Sequence, residues 1–176
     1  MKIYIVGMPG SGKSFIGRKI AQTLKLQFID LDELIEKQEK KIIRTIIMED
    51  GEDYFRSIEH SILHETQFKN KCVISCGGGT PTFFDNMDWM KKNGIVIWIH
   101  TPLDIISDRI FKNITRRPLF IGLSKEEINI KLQELSIKRV PYYKKASLTI
   151  DINKQNKVSL SAVIQQIIKY SKKINQ

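Results

Sequence analysis

Gly7-Met8-Pro9-Gly10-Ser11-Gly12-Lys13-Ser14 stands directly after the apolar run Ile3-Tyr4-Ile5-Val6 and ahead of a helical pattern at residues 13–24. The stretch satisfies G-x-x-x-x-G-K-[ST] in the context that gives this spacing its meaning, strand then glycine loop then helix. Glycines let the backbone curl so that several N–H groups converge on one anion. The positive end of the following helix adds to the same field. Lys13 is spaced to reach the β- and γ-phosphates and Ser14 to offer its hydroxyl to Mg²⁺. A plain turn would have no need of Lys-Ser at this place, so the loop is read as a site for a nucleoside triphosphate.

Outward from the loop, apolar runs of strand length at residues 3–6, 27–29, 72–75, 95–99 and 148–150 alternate with helical patterns. The helices are expected at 13–24, 31–38, 53–68, 83–92, 103–111, 125–138 and 158–171. Such alternation predicts an α/β fold, a five-stranded parallel sheet covered on both faces. Residues 42–68 form a helical insertion between the second and third strands, interrupted at Asp50-Gly51. Residues 112–124 are polar and basic, hold Pro118 and Gly122, and show no period. A long irregular stretch of this kind in a compact domain is usually functional, and a mobile lid is the expected role. With no repeat, linker or low-complexity tract, one domain over 1–176 is expected.

At 176 residues, with 41% hydrophobic and 27% charged residues, the chain has the composition of a soluble globular protein. No apolar run approaches a membrane span, and the N-terminus does not read as a signal peptide, so no membrane partner and a cytoplasmic home are expected. The net charge of +10 invites a nucleic-acid reading. The lysines are scattered, however, without long basic runs or interleaved aromatics, so the charge is read as solvated surface that also favours anionic small molecules. Cys72 and Cys76 lack the C-x-x-C spacing and a second pair, and are read as buried, reduced thiols. His60 and His64 have metal-ligand spacing on a helix, but Ser61 stands where H-E-x-x-H requires glutamate and no third ligand is evident. They are read as a surface or half-buried pair. His100 ends a strand without an evident partner.

Three further groups carry chemistry. Phe28-Ile29-Asp30-Leu31-Asp32 closes the second strand, and strand ends line the ligand crevice of an open α/β sheet. The two aspartates either address metal and substrate beyond Ser14 or, in one case, cap the next helix. Gly77, Gly78 and Gly79 follow the third strand, where three bare residues exceed what a turn needs and favour close approach of a ligand. Arg56, Arg109, Arg116, Arg117 and Arg139 offer planar forks suited to carboxylates and phosphates. Arg56 has Glu59 one turn away to hold it, Arg117 precedes Pro118 in the lid stretch, and Arg139 precedes Val140-Pro141-Tyr142-Tyr143.

Together these motifs closely resemble the shikimate kinase family: G-M-P-G-S-G-K-S at 7–14, F-I-D-L-D at 28–32, D-G-E-D-Y-F-R-S-I-E at 50–59, G-G-G at 77–79, R-P-L at 117–119 and K-R-V-P-Y-Y at 138–143. The resemblance spans the chain in the family's order. It implies a P-loop kinase fold, with residues of about 31–69 binding the acceptor and about 112–124 forming the lid. The implied reaction is transfer of the γ-phosphoryl of MgATP to the 3-hydroxyl of shikimate, by a monomer, in aromatic amino acid biosynthesis. By similarity Asp32 binds the acceptor hydroxyls and takes the proton of the attacking one, with Lys13 and Arg117 neutralising the transferring group. Asp30 supports Mg²⁺ through water beside Ser14. Arg56 and Arg139 clamp the carboxylate of shikimate, Gly78 and Gly79 meet its hydroxyls through backbone, and Gly77 completes the acceptor-binding set. Gly10, Ser11, Gly12, Lys13, Ser14, Phe15, Arg109 and Arg117 take the nucleotide.

Some positions depart from the family pattern. Phe15 replaces a second Ser or Thr, and Ile47 stands where an aromatic often lines the acceptor pocket. The adenine-side arginine is either Arg109 or displaced by Ile110, and Arg116 doubles the lid arginine. The competing readings are a small P-loop kinase acting on gluconate or a nucleoside monophosphate, which would not need Arg56 and Arg139 joined to Asp32, and a nucleotide-dependent module without enzymatic activity.

Overall fold

The computed structural model describes residues 1–116, 118–152 and 159–174. Five strands, β1 (Lys2–Val6), β2 (Gln27–Asp30), β3 (Cys72–Ser75), β4 (Ile95–His100) and β5 (Leu148–Asp151), form one parallel sheet in the order β2-β3-β1-β4-β5. The chain leaves β1 for the β3 side and later crosses back to β4, so the glycine loop opens at the reversal point of the sheet, where open α/β folds place ligands. The helices are α1 (Lys13–Leu24), α2 (Leu31–Glu39), α3 (Ile43–Asp50), α4 (Glu52–Glu65), α5 (Asn86–Asn93), α6 (Leu103–Lys112), α7 (Lys125–Tyr143) and α8 (Leu160–Ile174).

Strand alternation sorts the core into two layers. Ile3 and Ile5 of β1 face one way, with Val73, Ile97, Ile99 and Ile150, and are covered by Ile16 and Ile20 of α1 and Val163, Ile164 and Ile167 of α8. Tyr4 and Val6 face the other way, with Ile74, Val96 and Trp98, against Leu31, Ile46, Leu63, Met90, Ile110 and Leu132 from six helices. Both layers bury near-continuous aliphatic strands, which is why β1, β3 and β4 read as uninterrupted apolar runs.

Several helix boundaries differ from the sequence expectation. The insertion breaks at Gly51 as expected, with φ 89° between α3 and α4, but α4 gives way to a 3₁₀ turn at Thr66–Phe68. Helix α5 begins only at Asn86, after a 3₁₀ turn at Thr80–Thr82 and a positive φ of 50° at Phe84. Most consequential, α7 does not stop at Lys138 but runs through Pro141 to Tyr143. Proline removes one hydrogen bond, to the carbonyl four residues back. That carbonyl belongs to the strongly exposed Ile137, where water can take the place of the lost donor. The extension sets Arg139 and Tyr143 one turn apart on one helix face.

Candidate active site

The phosphate loop turns on positive φ angles at Gly7 (147°), Gly10 (79°) and Gly12 (98°), a conformation that side chains rarely adopt. It closes with Ser11 N–H donating to the Met8 carbonyl. The first intrahelical bond of α1 runs from Ile16 N–H to the Gly12 carbonyl. The N–H groups of Lys13, Ser14 and Phe15 therefore have no partner within the helix, the usual state of a first helical turn. The Phe15 ring itself is exposed, with the Lys19 ammonium over it at 4.5 Å, so backbone is what Phe15 offers to a nucleotide. Lys13 Nζ donates to the carbonyls of Gly7 and Met8, both at 3.0 Å, and so lies across the loop. Ser11 Oγ is buried in the loop without a hydrogen-bond partner among the described residues.

Arg109 on α6 donates from Nη1 to the carbonyls of Gly10 (3.3 Å) and Ser11 (3.2 Å). Its neighbour Ile110 is buried beneath Gly10, where a Cβ would meet Ile110 at 3.2 Å. Of the two candidates for the nucleotide side, Arg109 is thus the one beside the loop and Ile110 a core residue. Arg117 lies outside the described residues.

Parallel register places Asp30 of β2 beside Ser75 of β3, and Ser75 beside Ile5 of β1. Ser14 Oγ donates to Asp30 Oδ2 at 2.8 Å and lies 3.2 Å from Ser75 Oγ. The other Asp30 oxygen accepts from Asp32 N–H at 3.2 Å and caps α2. Asp30 thus caps α2 with one oxygen, the capping alternative, and turns the other toward Ser14. A hydroxyl and a carboxylate beside the phosphate loop form the hard oxygen donor set that Mg²⁺ prefers, and the loop's convergent N–H groups suit a polyphosphate.

Asp32 is the second residue of α2, exposed, with Oδ1 3.2 Å from where a Cβ on Gly77 would stand. Desolvation there pushes its carboxyl up to about 6, reinforced by the negative charges of Asp30, Glu59 and Glu36 and opposed by Lys13. A carboxylate with a pKa this close to neutrality is better matched to accepting a proton than an ordinary aspartate.

Across the cleft lie two arginines, each only 9% exposed. Arg56 of α4 donates from Nη1 to Glu59 Oε2 (2.7 Å) and from Nη2 to Glu52 Oε1 (3.0 Å), and its guanidinium sits 4.2 Å from the centre of the Phe83 ring. Glu59 is fully buried, and its second oxygen accepts from Thr80 Oγ1 at 2.5 Å. Arg139 of α7 lies beside Tyr143, whose hydroxyl donates to the Gly78 carbonyl at 2.6 Å.

The three glycines explain how these groups converge. A Cβ on Gly77 would stand 2.9 Å from Glu59 Oε1 and 3.2 Å from Asp32 Oδ1; on Gly78, 2.8 Å from Arg139 Nη1; on Gly79, 2.8 Å from Arg56 Nη2. Each glycine therefore yields its space to one charged group of the cleft. None of the three has a positive φ, so it is space and not backbone conformation that demands glycine here. Sequence reasoning saw Glu59 only as a partner for Arg56, held Tyr143 only as part of the motif after Arg139, and gave Thr80 and Ser75 no role. Their spacing in the chain carries no periodic signal, because only the sheet register and the bend after β3 bring them to the cleft. Ile47 is half-buried and packs against the core beside Ile46.

The chain is similar to known proteins over most of its length. The family model described as shikimate kinase matches residues 9–172. A shikimate kinase of Parabacteroides distasonis is 38% identical over 87% of this chain and 88% of its own length, and one of Persephonella marina is 42% identical over 84% and 87%. Among solved structures, a shikimate kinase from Bacteroides thetaiotaomicron superposes with a TM-score of 0.89 at 29% identity, covering 98% of both chains. One from Acinetobacter baumannii, in complex with shikimate, superposes with a TM-score of 0.81 at 32% identity, covering 96% of this chain and 90% of that one.

Proposed function

The chain belongs to the shikimate kinase family, and we propose that it transfers the γ-phosphoryl group of ATP to the 3-hydroxyl of shikimate, with Asp32 at the acceptor and Lys13 at the phosphates. The observation that carries this reading is the turn after β3, where the three glycines make room for Arg56, Arg139 and Asp32. Two arginines and a carboxylate around one small cleft suit a molecule bearing one carboxylate and several hydroxyls. Buried guanidinium groups are the preferred partners for a carboxylate, because the fork binds both oxygens and stays charged.

The Arg56–Glu59–Thr80 chain fixes one fork before substrate arrives, which reduces the entropy lost on binding. Asp32 accepts the proton of the attacking hydroxyl as its oxygen bonds to the γ-phosphorus, while the bond from phosphorus to the bridging oxygen breaks and leaves ADP. Lys13 neutralises charge on the phosphates, and the first-turn N–H groups of α1 hold them in line. Ser14 and, through water, Asp30 would hold Mg²⁺, which supplies further charge neutralisation when bound. Arg109 closes over the loop on the nucleotide side. The sequence pattern at 117–119 gives Arg117 a share of the transferring charge and residues 112–124 the role of a lid. The phosphate loop and the acceptor clamp come from a single chain, which supports action as a monomer on small anions.

A coupled assay with MgATP and a panel of shikimate, gluconate and nucleoside monophosphates tests the reading. ADP release with shikimate alone is expected. Turnover of gluconate or a nucleotide in its place would overturn it.

A further inference from the structure

His60 and His64 lie four apart on α4, so their rings meet on one helix face with centroids 4.0 Å apart. The sequence shows no third ligand, but the fold supplies one. The 3₁₀ turn at Thr80–Thr82 and the bend at Phe84 bring Asp85 over the pair, and one donor atom from each of the three residues lies within 4.8 Å of the others.

Three observations separate this cluster from an ordinary surface pair. His64 Nε2 is buried without a hydrogen-bond partner among the described residues, 3.9 Å from Asp85 Oδ1. That separation is too long for a hydrogen bond; a tetrahedral ion with bonds of about 2.0–2.1 Å holds its ligand atoms roughly 3.3–3.4 Å apart, so the exposed Asp85 side chain would close on His64 by about half an ångström. Asp85 occupies the N-cap position of α5 but makes no capping bond, so its carboxylate is not used by the helix. His60 Nδ1 lies 2.7 Å from Asn86 Oδ1 and 4.0 Å from Asp85 Oδ1, and Asn86 Nδ2 donates to the Thr80 carbonyl at 2.9 Å. With the amide nitrogen committed to Thr80, the amide oxygen takes the Nδ1 proton and leaves the lone pair on Nε2. Holding an imidazole by its second nitrogen is the outer-sphere arrangement of a metal-ligating histidine.

We infer that His60, His64 and Asp85 form a binding site for a divalent transition-metal ion of the Zn²⁺ class, separate from the Ser14–Asp30 oxygens. Two imidazoles and one carboxylate favour Zn²⁺ or Co²⁺ over Mg²⁺, which requires oxygen ligands. Asp85 and the adjoining Phe84 are exposed, so water can complete a four-coordinate ion from the solvent side. Burial and the neighbouring His60 hold the His64 imidazole below its ordinary pKa, favouring the neutral form that binds metal.

The test uses the full chain, stripped with a chelator and kept in excess Mg²⁺ to fill the oxygen sites, then titrated with Zn²⁺ and with Co²⁺ as a spectroscopic probe. One Zn²⁺ per chain and visible Co²⁺ bands of a nitrogen–oxygen site are expected. His64→Ala should abolish binding. Asp85→Asn alters only an exposed carboxylate, so it preserves the fold, and should weaken binding roughly tenfold or more. Undiminished binding in Asp85→Asn would overturn the site, as would no binding by the wild-type chain at about 100 μM Zn²⁺, a level corresponding to roughly 5–6 kcal/mol. A sulfur-to-cobalt charge-transfer band would assign the ion to Cys72 or Cys76 and overturn it equally.

Discussion

In the proposed reaction Asp32 concentrates the chemistry in one side chain. Asp32→Asn retains shape but cannot accept a proton, and turnover should fall by roughly 10²–10⁴-fold, while ATP affinity measured by calorimetry stays within about twofold. Near-normal turnover would remove Asp32 from the reaction. The raised pKa also makes a claim about the free chain: its carboxyl should titrate near 6 in a carbon-detected NMR titration. An ordinary midpoint near about 4 would contradict the desolvation argument. The sign for stability follows. A carboxyl that holds its proton more tightly in the folded chain than in the unfolded one costs stability as pH rises through the window between the two values, from about 4 to about 6. At neutral pH the ionised Asp32 therefore works against folding, and Asp32→Asn should raise Tm even as it removes activity. Gly78 offers a second test. Its added Cβ would meet the tip of Arg139 at 2.8 Å and the Pro9 ring at 3.1 Å, so Gly78→Ala should raise the KM for shikimate about tenfold or more and also lower Tm; a change in Tm without a change in KM would make the glycine structural.

Among the elements, α4 carries the heaviest electrostatic burden. It holds Arg56 and Glu59 at i and i+3 and buries both, with Thr80 satisfying the other carboxylate oxygen. Removing Glu59 leaves the buried Arg56 with only the exposed Glu52 as ion-pair partner among the described residues, so the cost falls below the about 3–5 kcal/mol typical of a fully uncompensated buried charge. Glu59→Ala should accordingly lower the urea midpoint and, by freeing Arg56, raise the KM for shikimate more than that for ATP. Loss of stability with an unchanged KM would separate Glu59 from the clamp. The element boundaries also show where local reading stops. Pro141 ends a helix on propensity alone, yet α7 continues through it, because Arg139 and Tyr143 are both buried against the turn after β3. Packing of one helical turn outweighs one missing hydrogen bond beside the exposed Ile137.

At the scale of the whole molecule, a net charge of +10 surrounds a site for two anionic substrates. Such a field raises encounter rates and is screened by salt, so kcat/KM for shikimate should fall several-fold between about 20 mM and about 300 mM ionic strength. A flat profile would confine the electrostatics to the cleft. The sequence by itself determined the α/β alternation, the phosphate loop after β1, the aspartates at the end of β2 and the triple glycine after β3. These are local patterns, spelled by strand and helix periods and by residues whose conformational or chemical needs show in a few consecutive positions. What only the tertiary structure decided is which of these patterns touch. The order β2-β3-β1-β4-β5 sets Ser14 against Asp30 and Ser75, assigns the place beside the loop to Arg109 rather than Ile110, and joins Glu59 to Thr80. It also delivers Asp85 to the histidine pair, for which the sequence showed no third ligand. The reason is physical: side chains distant in sequence meet only through sheet register, helix packing and the bends between them, and no short window of sequence contains that information.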